Sequence, residues 1–433
     1  DQSSTLPKNK NTYLYPAAAA SFVFSDAFDI TNNWFSYGKV RASAARVGRD
    51  APPYSLQNVF VKPALGNNVA SVFFPISLGS ALAGFTPNNV LANPDLKPEF
   101  TTSLEAGVNL GFFKNRLSID AAFFHTTSKD QIFQVAVPAS TGYSSRLLNV
   151  GKMINKGIEL SLTGTPFNGK EFQWDISANF TKIKNEVVEI APGVENFPIA
   201  SGQSFSGTVA SIAKGYGYGV IIGGKLPKTP DGQYIINRNT GLYAPAIPNS
   251  VVSDPNPEWN AGITNTFRFK GITLGFLWDY TKGGQIYSFT VAFLRNNGLL
   301  KETGGDRDKP MIIPGVIEDP AGSGKYIQNN IQITPYQYWR APGLQSDLSV
   351  FDASVLRLRE LSLGYEIPAS ILGKTPLSMV RLTAFARNLW FYAPNYPMDP
   401  EVNTQGAGNL RGLDLQGAPN SRTMGLSLRV AFK

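Results

Sequence analysis

Cysteine is absent from the 433 residues, and histidine occurs once, at His125. The first absence removes disulfide frameworks, thiol catalysis and thiolate-held zinc; the second argues against metal sites built from several imidazoles. Charge is scarce as well. Asp, Glu, Lys and Arg make up 16% of the chain, against roughly 25% in an ordinary soluble domain. Hydrophobic residues, at 42%, do not fill the gap. Long apolar runs are missing. The best candidate, Ala17 to Phe24, is interrupted at Ser21 and falls well short of the roughly 18 residues of a membrane helix, which excludes a helical membrane protein. The opening residues, Asp1 to Thr5, hold no basic segment followed by an apolar one, so any export signal is expected upstream.

What is present is two-residue alternation, which puts one set of side chains on each face of a strand. Leu104, Ala106, Val108, Leu110 and Phe112 oppose Ser103, Glu105, Gly107, Asn109 and Gly111; Leu117, Ile119, Ala121 and Phe123 oppose Ser118 and Asp120. Similar rows run through Ile158 to Thr163, Trp174 to Thr181, Ile272 to Trp278 and Met424 to Lys433. The pattern predicts strands over 13–25, 34–47, 100–112, 116–128, 152–165, 172–184, 258–269, 272–286, 355–365, 380–390 and 424–433. They run about 10 to 15 residues, enough to cross a bilayer at a tilt.

The connections separate a membrane barrel from a soluble sandwich. Short linkers at 26–33, 113–115, 166–171, 270–271 and 366–379 alternate with long ones at 48–99, 129–151, 185–257, 287–354 and 391–423. Short turns at one rim and long loops at the other are the signature of an outer-membrane barrel, and a lipid-facing surface explains the low charge. The expected fold is therefore all-β, a transmembrane antiparallel β-barrel with long extracellular loops. An odd number of strands does not close a single-chain bacterial barrel, so the chain reads as part of one; segment 205–236 is the place for a further pair of strands.

Five ordered segments then resemble a family: NPDLKPE (Asn93 to Glu99), NVGKMINKGIELSL (Asn149 to Leu162), DPNPEWNAGITNTFRFKGITL (Asp254 to Leu274), VLRLRELSLGYEIP (Val355 to Pro368) and ARNLWFYAPNYPMDPEVN (Ala386 to Asn403). They are similar to motifs of the SusC/RagA-like TonB-dependent outer-membrane transporters of Bacteroidetes. The resemblance implies a plugged barrel of about 22 strands, of which residues 1–433 supply the C-terminal half, about eleven strands. Signal peptide, TonB box, plug and first strands are then expected upstream of Asp1. It further implies import of an oligosaccharide or peptide, a SusD-like surface lipoprotein as lid, the TonB-ExbB-ExbD complex as energy source, and contact with outer-membrane lipid and lipopolysaccharide. Phe432, followed by Lys433, is the candidate C-terminal assembly signal.

Chemistry beyond binding is thin. Glu302 with Asp306 and Asp308, and Asp399 with Glu401, are carboxylate groups with a calcium reading, but neither fits a complete loop, and solvated loops are the plainer expectation. Gly215 to Gly219 alternates Gly with Tyr and lacks the Lys-Ser/Thr of a phosphate cradle. No catalytic, cofactor or metal residues are assigned, and the absence of a placeable acid/base carboxylate pair disfavours a glycan hydrolase. The net charge of +8 is dispersed, without the basic cluster and stacking aromatics of a nucleic-acid binder. Trp259, Trp278 and Trp390 suit an interfacial girdle. Tyr216, Tyr218, Tyr336, Tyr338 and Trp339 are the candidate ligand-contacting loop aromatics, with internal packing as the alternative role. A structural scaffold in a surface assembly, and a soluble carbohydrate-binding protein, are the competing functions.

Overall fold

The computed structural model describes the chain except residues 31, 63, 67–70, 74, 75, 78–80, 83, 204–206, 374, 407 and 409. Eleven antiparallel strands lie side by side in chain order: β1 (Ala17–Val23), β2 (Phe35–Arg49), β3 (Glu99–Phe112), β4 (Leu117–Ala136), β5 (Ser145–Asn168), β6 (Phe172–Glu189), β7 (Pro257–Phe269), β8 (Ile272–Gly283), β9 (Val355–Glu366), β10 (Leu377–Tyr392) and β11 (Thr423–Phe432). Each expected strand is found, with shifted ends. A short segment, Val90–Leu91, adds a parallel pairing at the start of β5. Among the described residues no helix is long and apolar enough to cross a membrane, which says nothing of crossing by strands.

Three boundaries need correction. The first strand stops at Val23 and a helical turn, Phe24–Ala27, follows. The expected long loop at 129–151 is mostly strand, because β4 and β5 continue as a paired hairpin to Ala136 and Ser145. Left-handed residues at Asp130 and Gly151, with φ of 58° and 90°, let the hairpin change course without breaking. The strand expected over 272–286 ends at Gly283. There Gly283 and Gly284 both have positive φ, and the next segment, Gln285–Ser288, joins another sheet.

Segment 205–236, whose residues 205 and 206 lie outside the described ones, does hold strands. Val209–Ala213 and Val220–Lys225 form a separate four-stranded sheet with Asn196–Gln203 and Ile247–Ser253. They add nothing to the wall, and its strand number stays odd.

Tight turns close one rim. The β7–β8 turn is Lys270-Gly271, both with positive φ, the two-residue geometry that matches strand twist. A Cβ on Gly271 would sit 2.8 Å from the Glu366 carbonyl oxygen, so both the turn and its neighbour require glycine here.

The register sorts the side chains into two faces. One row per strand pair is apolar: Phe123 lies beside Ile158, Leu160 beside Phe180, Ile263 beside Trp278, Leu382 beside Leu428. Many of these are solvent-exposed in the isolated chain, Leu426 at 75% and Leu104 at 53% among them. Such a broad apolar surface is far more than a soluble monomer displays, and it has the alternation of a lipid-facing wall. Interfacial aromatics flank it. At the long-loop rim Trp278 meets Trp390 edge-on at 5.7 Å, and Trp390 stacks on Tyr392. Trp259 packs with Phe180 and Tyr280. At the short-turn rim Trp174 stacks on Phe267.

Candidate functional site: the polar wall and its mouth

The opposite face carries the charge that the apolar rows exclude. Arg41 on β2 reaches across β3 to Asp120 on β4 at 2.9 Å, with Glu105 at 3.6 Å and the Asn109 amide oxygen at 2.8 Å. Arg268 pairs with Asp175, Arg381 with Glu366 and Arg387 with Glu360, all on rows that alternate with the apolar ones. Gly107 makes room for the first cluster, since a Cβ there would meet the Arg41 guanidinium at 2.7 Å. Paired charges beside a wet bore cost little, and on a lipid face they would be excluded.

Near the long-loop rim this charged face is tied to the loops. Arg359 occupies a bulge in β9 and binds Asp279 on β8 at 2.6 Å and Glu401 at 2.5 Å. Arg357, almost fully buried, holds Asp399 through two nitrogens at 3.1 and 2.5 Å. The Asn420 amide adds a third donor at 3.0 Å. Burial pushes the Asp399 carboxyl up, but Arg357, the Glu401 backbone N–H and Asn420 outweigh it and hold it below the usual carboxylate range. The solvated loop expected at Asp399 and Glu401 is therefore corrected: Arg357 and Arg359 take these oxygens, and Asp399 is buried. Glu302 is likewise taken, by Arg295 at 2.7 Å, and no cluster of three metal-ligating side chains occurs among the described residues.

Above the rim the long loops fold onto one another. One buried cluster joins Ala210, Ile221 and Val252 to Tyr287 and to Leu410 and Leu413, from three separate loops. Met153 of the wall packs with Val187, Phe197 and Ile212, which anchors this layer over the polar face. Asp414, fully buried, accepts from Ser288 Oγ and Thr290 Oγ1 at 2.6 Å each and from the Tyr396 hydroxyl at 2.8 Å. Burial drives the Tyr396 phenol well above its ordinary pKa.

Between wall and loop layer lie two adjoining clefts of about 800 and 450 Å³. Their lining is rich in amides: Asn155, Asn185 and Asn256 in the larger, Asn403 and Asn420 in the smaller, Asn260 in both. Arg411 also borders both and makes no ion pair among the described residues. Such a surface can hydrogen-bond hydroxyls or backbone amides and receive an anionic group; it holds no nucleophile activated by a base.

The candidate loop aromatics separate. Tyr218 lines the larger cleft; its N–H donates to Asn185 at 2.6 Å, its carbonyl accepts from Asn256, and burial raises its phenol pKa. Tyr216 stands exposed on the adjacent turn. Tyr336, Tyr338 and Trp339 share a short helix, Pro335–Trp339, capped by Thr334. Tyr338 turns inward against Tyr243 and the isoleucine cluster of Ile236, Ile313, Ile317 and Ile333, and Trp339 packs edge-on against it at 4.8 Å. Tyr336 remains exposed beside Arg340. Phe432 ends β11 on the apolar row, opposite Leu377. His125 lies on the same face, with Thr127 its neighbour at 3.5 Å. The asparagines and Arg411 escape a sequence reading, because they come from four separate segments, β5, β6, the start of β7 and the last long loop. The trace they leave is that Asn155, Asn256, Asn260 and Asn403 sit inside the family-like segments quoted above.

The comparisons agree with this architecture. A family model described as "TonB dependent receptor-like, beta-barrel" matches residues 1–389. TonB-dependent receptor P3 of Formosa agariphila is 27% identical over 460 residues, covering all of this chain and 43% of the receptor. TonB-dependent receptor SusC of Bacteroides thetaiotaomicron is 22% identical across 78% of the chain and 32% of its own length. Among solved structures, the RagAB peptide importer in its open-open state superposes with a TM-score of 0.69 at 20% identity, over 100% of this chain and 44% of that one. The chain thus spans less than half the length of the curated relatives it matches. It belongs to the TonB-dependent receptor-like β-barrel family, proteins of the Gram-negative outer membrane, and it is similar to TonB-dependent receptor SusC.

Proposed function

We propose that the protein is an active importer whose barrel wall these residues form, and that its cargo is an oligosaccharide or a peptide. The observation that carries this reading is the amide-lined pair of clefts, with Arg411, which has no ion-pair partner among the described residues, bordering both where the polar wall meets the loop layer. Asparagine side chains offer a donor and an acceptor each, the chemistry that both sugar hydroxyls and peptide backbones need. The RagAB importer, similar in fold, carries peptides by its name, and that favours the peptide branch.

On this reading the loop layer, stiffened by its shared core, is the platform for a SusD-like lipoprotein lid. Energy comes from TonB-ExbB-ExbD acting through parts of the protein outside residues 1–433. Tyr216 and Tyr336, whose rings are exposed on that layer, are the aromatics available to cargo or lid, while Tyr218 acts within the cleft. Phe432 serves barrel assembly.

The test is a strain lacking the full-length gene, grown on defined peptides or oligosaccharides as sole nutrient, with and without an intact TonB system. Growth on one nutrient class should fail and return with the wild-type gene only when TonB is present. Normal growth on every nutrient, accompanied by loss of a surface assembly, would instead establish the scaffold role.

A further inference from the structure

On the apolar face, the wall changes character abruptly midway along β4 and β5 and toward the long-loop end of β6. Phe123 and Ile158 are succeeded two residues on by His125 and Lys156, and Phe180 by Lys182. The register sets His125, Lys156 and Lys184 in one row across the three strands, with Phe123, Ile158 and Lys182 in the row beneath. Two rows above His125, Lys129 lies opposite Lys152. Lys129, Lys156, Lys182 and Lys184 are exposed.

Two like-charged cross-strand pairs, Lys156 with Lys184 and Lys129 with Lys152, are thus held side by side. Directly opposed like charges destabilise a sheet. Local acids compensate little: Glu186 reaches Lys184 at 3.4 Å, Glu189 stands opposite Lys152, and Lys156, Lys182, Lys129 and Lys152 make no ion pair among the described residues. Neighbouring strands lie about 4.8 Å apart and alternate residues about 7 Å apart, so the register places Lys156, Lys182 and Lys184 close enough for their long side chains to reach one phosphate. At β8 to β10 the same rim differs: it is built from Trp278, Trp390 and Tyr392, and its strands carry a single lysine, Lys282, opposite Trp259.

We propose that this lysine cluster is a binding site for the phosphate groups of lipid A, the anionic anchor of lipopolysaccharide in the outer leaflet. Lys156, Lys182 and Lys184 clamp one phosphate, and Lys129 and Lys152 approach the second. The acyl chains then lie on Phe123, Ile158, Leu160 and Phe180 directly below. The inference rests on the outer-membrane placement of the wall and is independent of what the barrel imports.

The experiment uses the full-length protein reconstituted into nanodiscs, with lipid A retention per barrel read by native mass spectrometry. Bisphosphorylated lipid A is titrated against the phosphate-free form. Wild type should retain the bisphosphorylated lipid selectively. The variant Lys156→Gln/Lys182→Gln/Lys184→Gln should weaken retention on the order of a hundredfold, as expected from three basic contacts at an anionic surface, and lose the selectivity. Arginine at the same three positions should restore it. Unchanged retention in the glutamine variant would overturn the site, as would an equal loss in Lys214→Gln/Lys225→Gln/Lys301→Gln. Should the glutamine variant fail to assemble, the wild-type comparison decides, and equal retention of the two lipids overturns the proposal. A wild-type barrel that inserts into nanodiscs but transports nothing would count against the importer role alone.

Discussion

Arg357 of β9 and Asp399 of the last long loop are joined by two charge-assisted hydrogen bonds, with side-chain exposures of 1% and 7%. The pair binds the loop to the wall. A buried ion pair is a weak source of net stability, yet losing one partner strands the other without water. Arg357 Nε is already buried without a hydrogen-bond partner, and its guanidinium lies 5.3 Å from the Phe391 ring, so it has no second anion to turn to except Glu401 at 3.5 Å. Asp399→Ala should therefore destabilise the loop attachment by about 3–5 kcal/mol, and Arg357→Leu/Asp399→Leu should recover much of that loss. Hydrogen exchange of residues 393–422 is the measurement, with the strands as internal reference.

The same pair fixes a pH dependence. Asp399 has a folded-state pKa below its ordinary value. Its contribution is present in full above the unfolded carboxylate pKa of about 3.9 and is lost as pH falls through the lower folded value. Loop protection attributable to Asp399 should be flat from neutral pH down to about 4 and decline only in more acidic buffer. In the double leucine variant that acidic decline should disappear.

Asn265 breaks the apolar row between Ile263 and Phe267, and Trp174 explains how it is tolerated: the indole N–H donates to its amide oxygen at 3.0 Å. A polar group facing hydrocarbon must find a partner within the protein. Trp174→Phe leaves that oxygen bare and should cost about 1–2 kcal/mol. Asn265→Ala removes the need as well as the bond and should cost less. The double variant should then resemble Asn265→Ala, so the coupling energy in a folding titration in lipid is the quantity to read.

The wall was legible because its signal is local. Alternation such as Leu104 to Phe112 needs only neighbouring residues, and all eleven strands follow from it. Strand ends were less so. Nothing in Lys129-Asp130-Gln131 announces that β4 runs on to Ala136, since continuation depends on pairing with Ser145 to Gly151. Of the loop layer only the strand pair within 205–236 was anticipated, and its place in a separate sheet was not, for a related reason. Val220 to Ile222 are all fully or nearly fully buried and show no alternation, because loop strands packed on both faces lose the polar row. Arg357 meets Asp399 across 42 residues, and no spacing rule joins them. Among the aromatics, composition could not tell Tyr338, committed to the isoleucine cluster, from exposed Tyr336.

Asp414 holds the loop layer together from within. Its carboxylate takes three hydroxyl donors and no cation, and one donor, Ser288, also caps the helix Phe289–Asn296 by accepting from the Val291 N–H at 3.0 Å. Asp414→Ala leaves buried hydroxyls unpaired and should cost about 1–3 kcal/mol locally. Exchange should quicken over residues 285–296 and 393–415 while β1 to β11 keep their protection. Serine-to-alanine change at 288 should reproduce the effect on the helix but spare residues 393–415, where Tyr396 and Asp414 remain bonded to each other.

Arg411 separates cargo binding from wall integrity. It borders both clefts, has no ion-pair partner among the described residues, and lies in a loop rather than a strand. Losing it should leave folding and insertion unchanged, because no buried partner is stranded. If the clefts receive cargo with a carboxylate or another anionic group, Arg411→Gln should weaken cargo binding by about tenfold, in line with one charge-assisted contact. Asn185→Ala, which removes the acceptor of the Tyr218 N–H at 2.6 Å, should loosen the cleft wall and weaken neutral and anionic cargo alike. Calorimetric titration of the two variants against one neutral and one anionic ligand distinguishes these effects: a loss confined to the anionic ligand in Arg411→Gln assigns the charge contact, and equal affinities in wild type and both variants would remove cargo from these clefts.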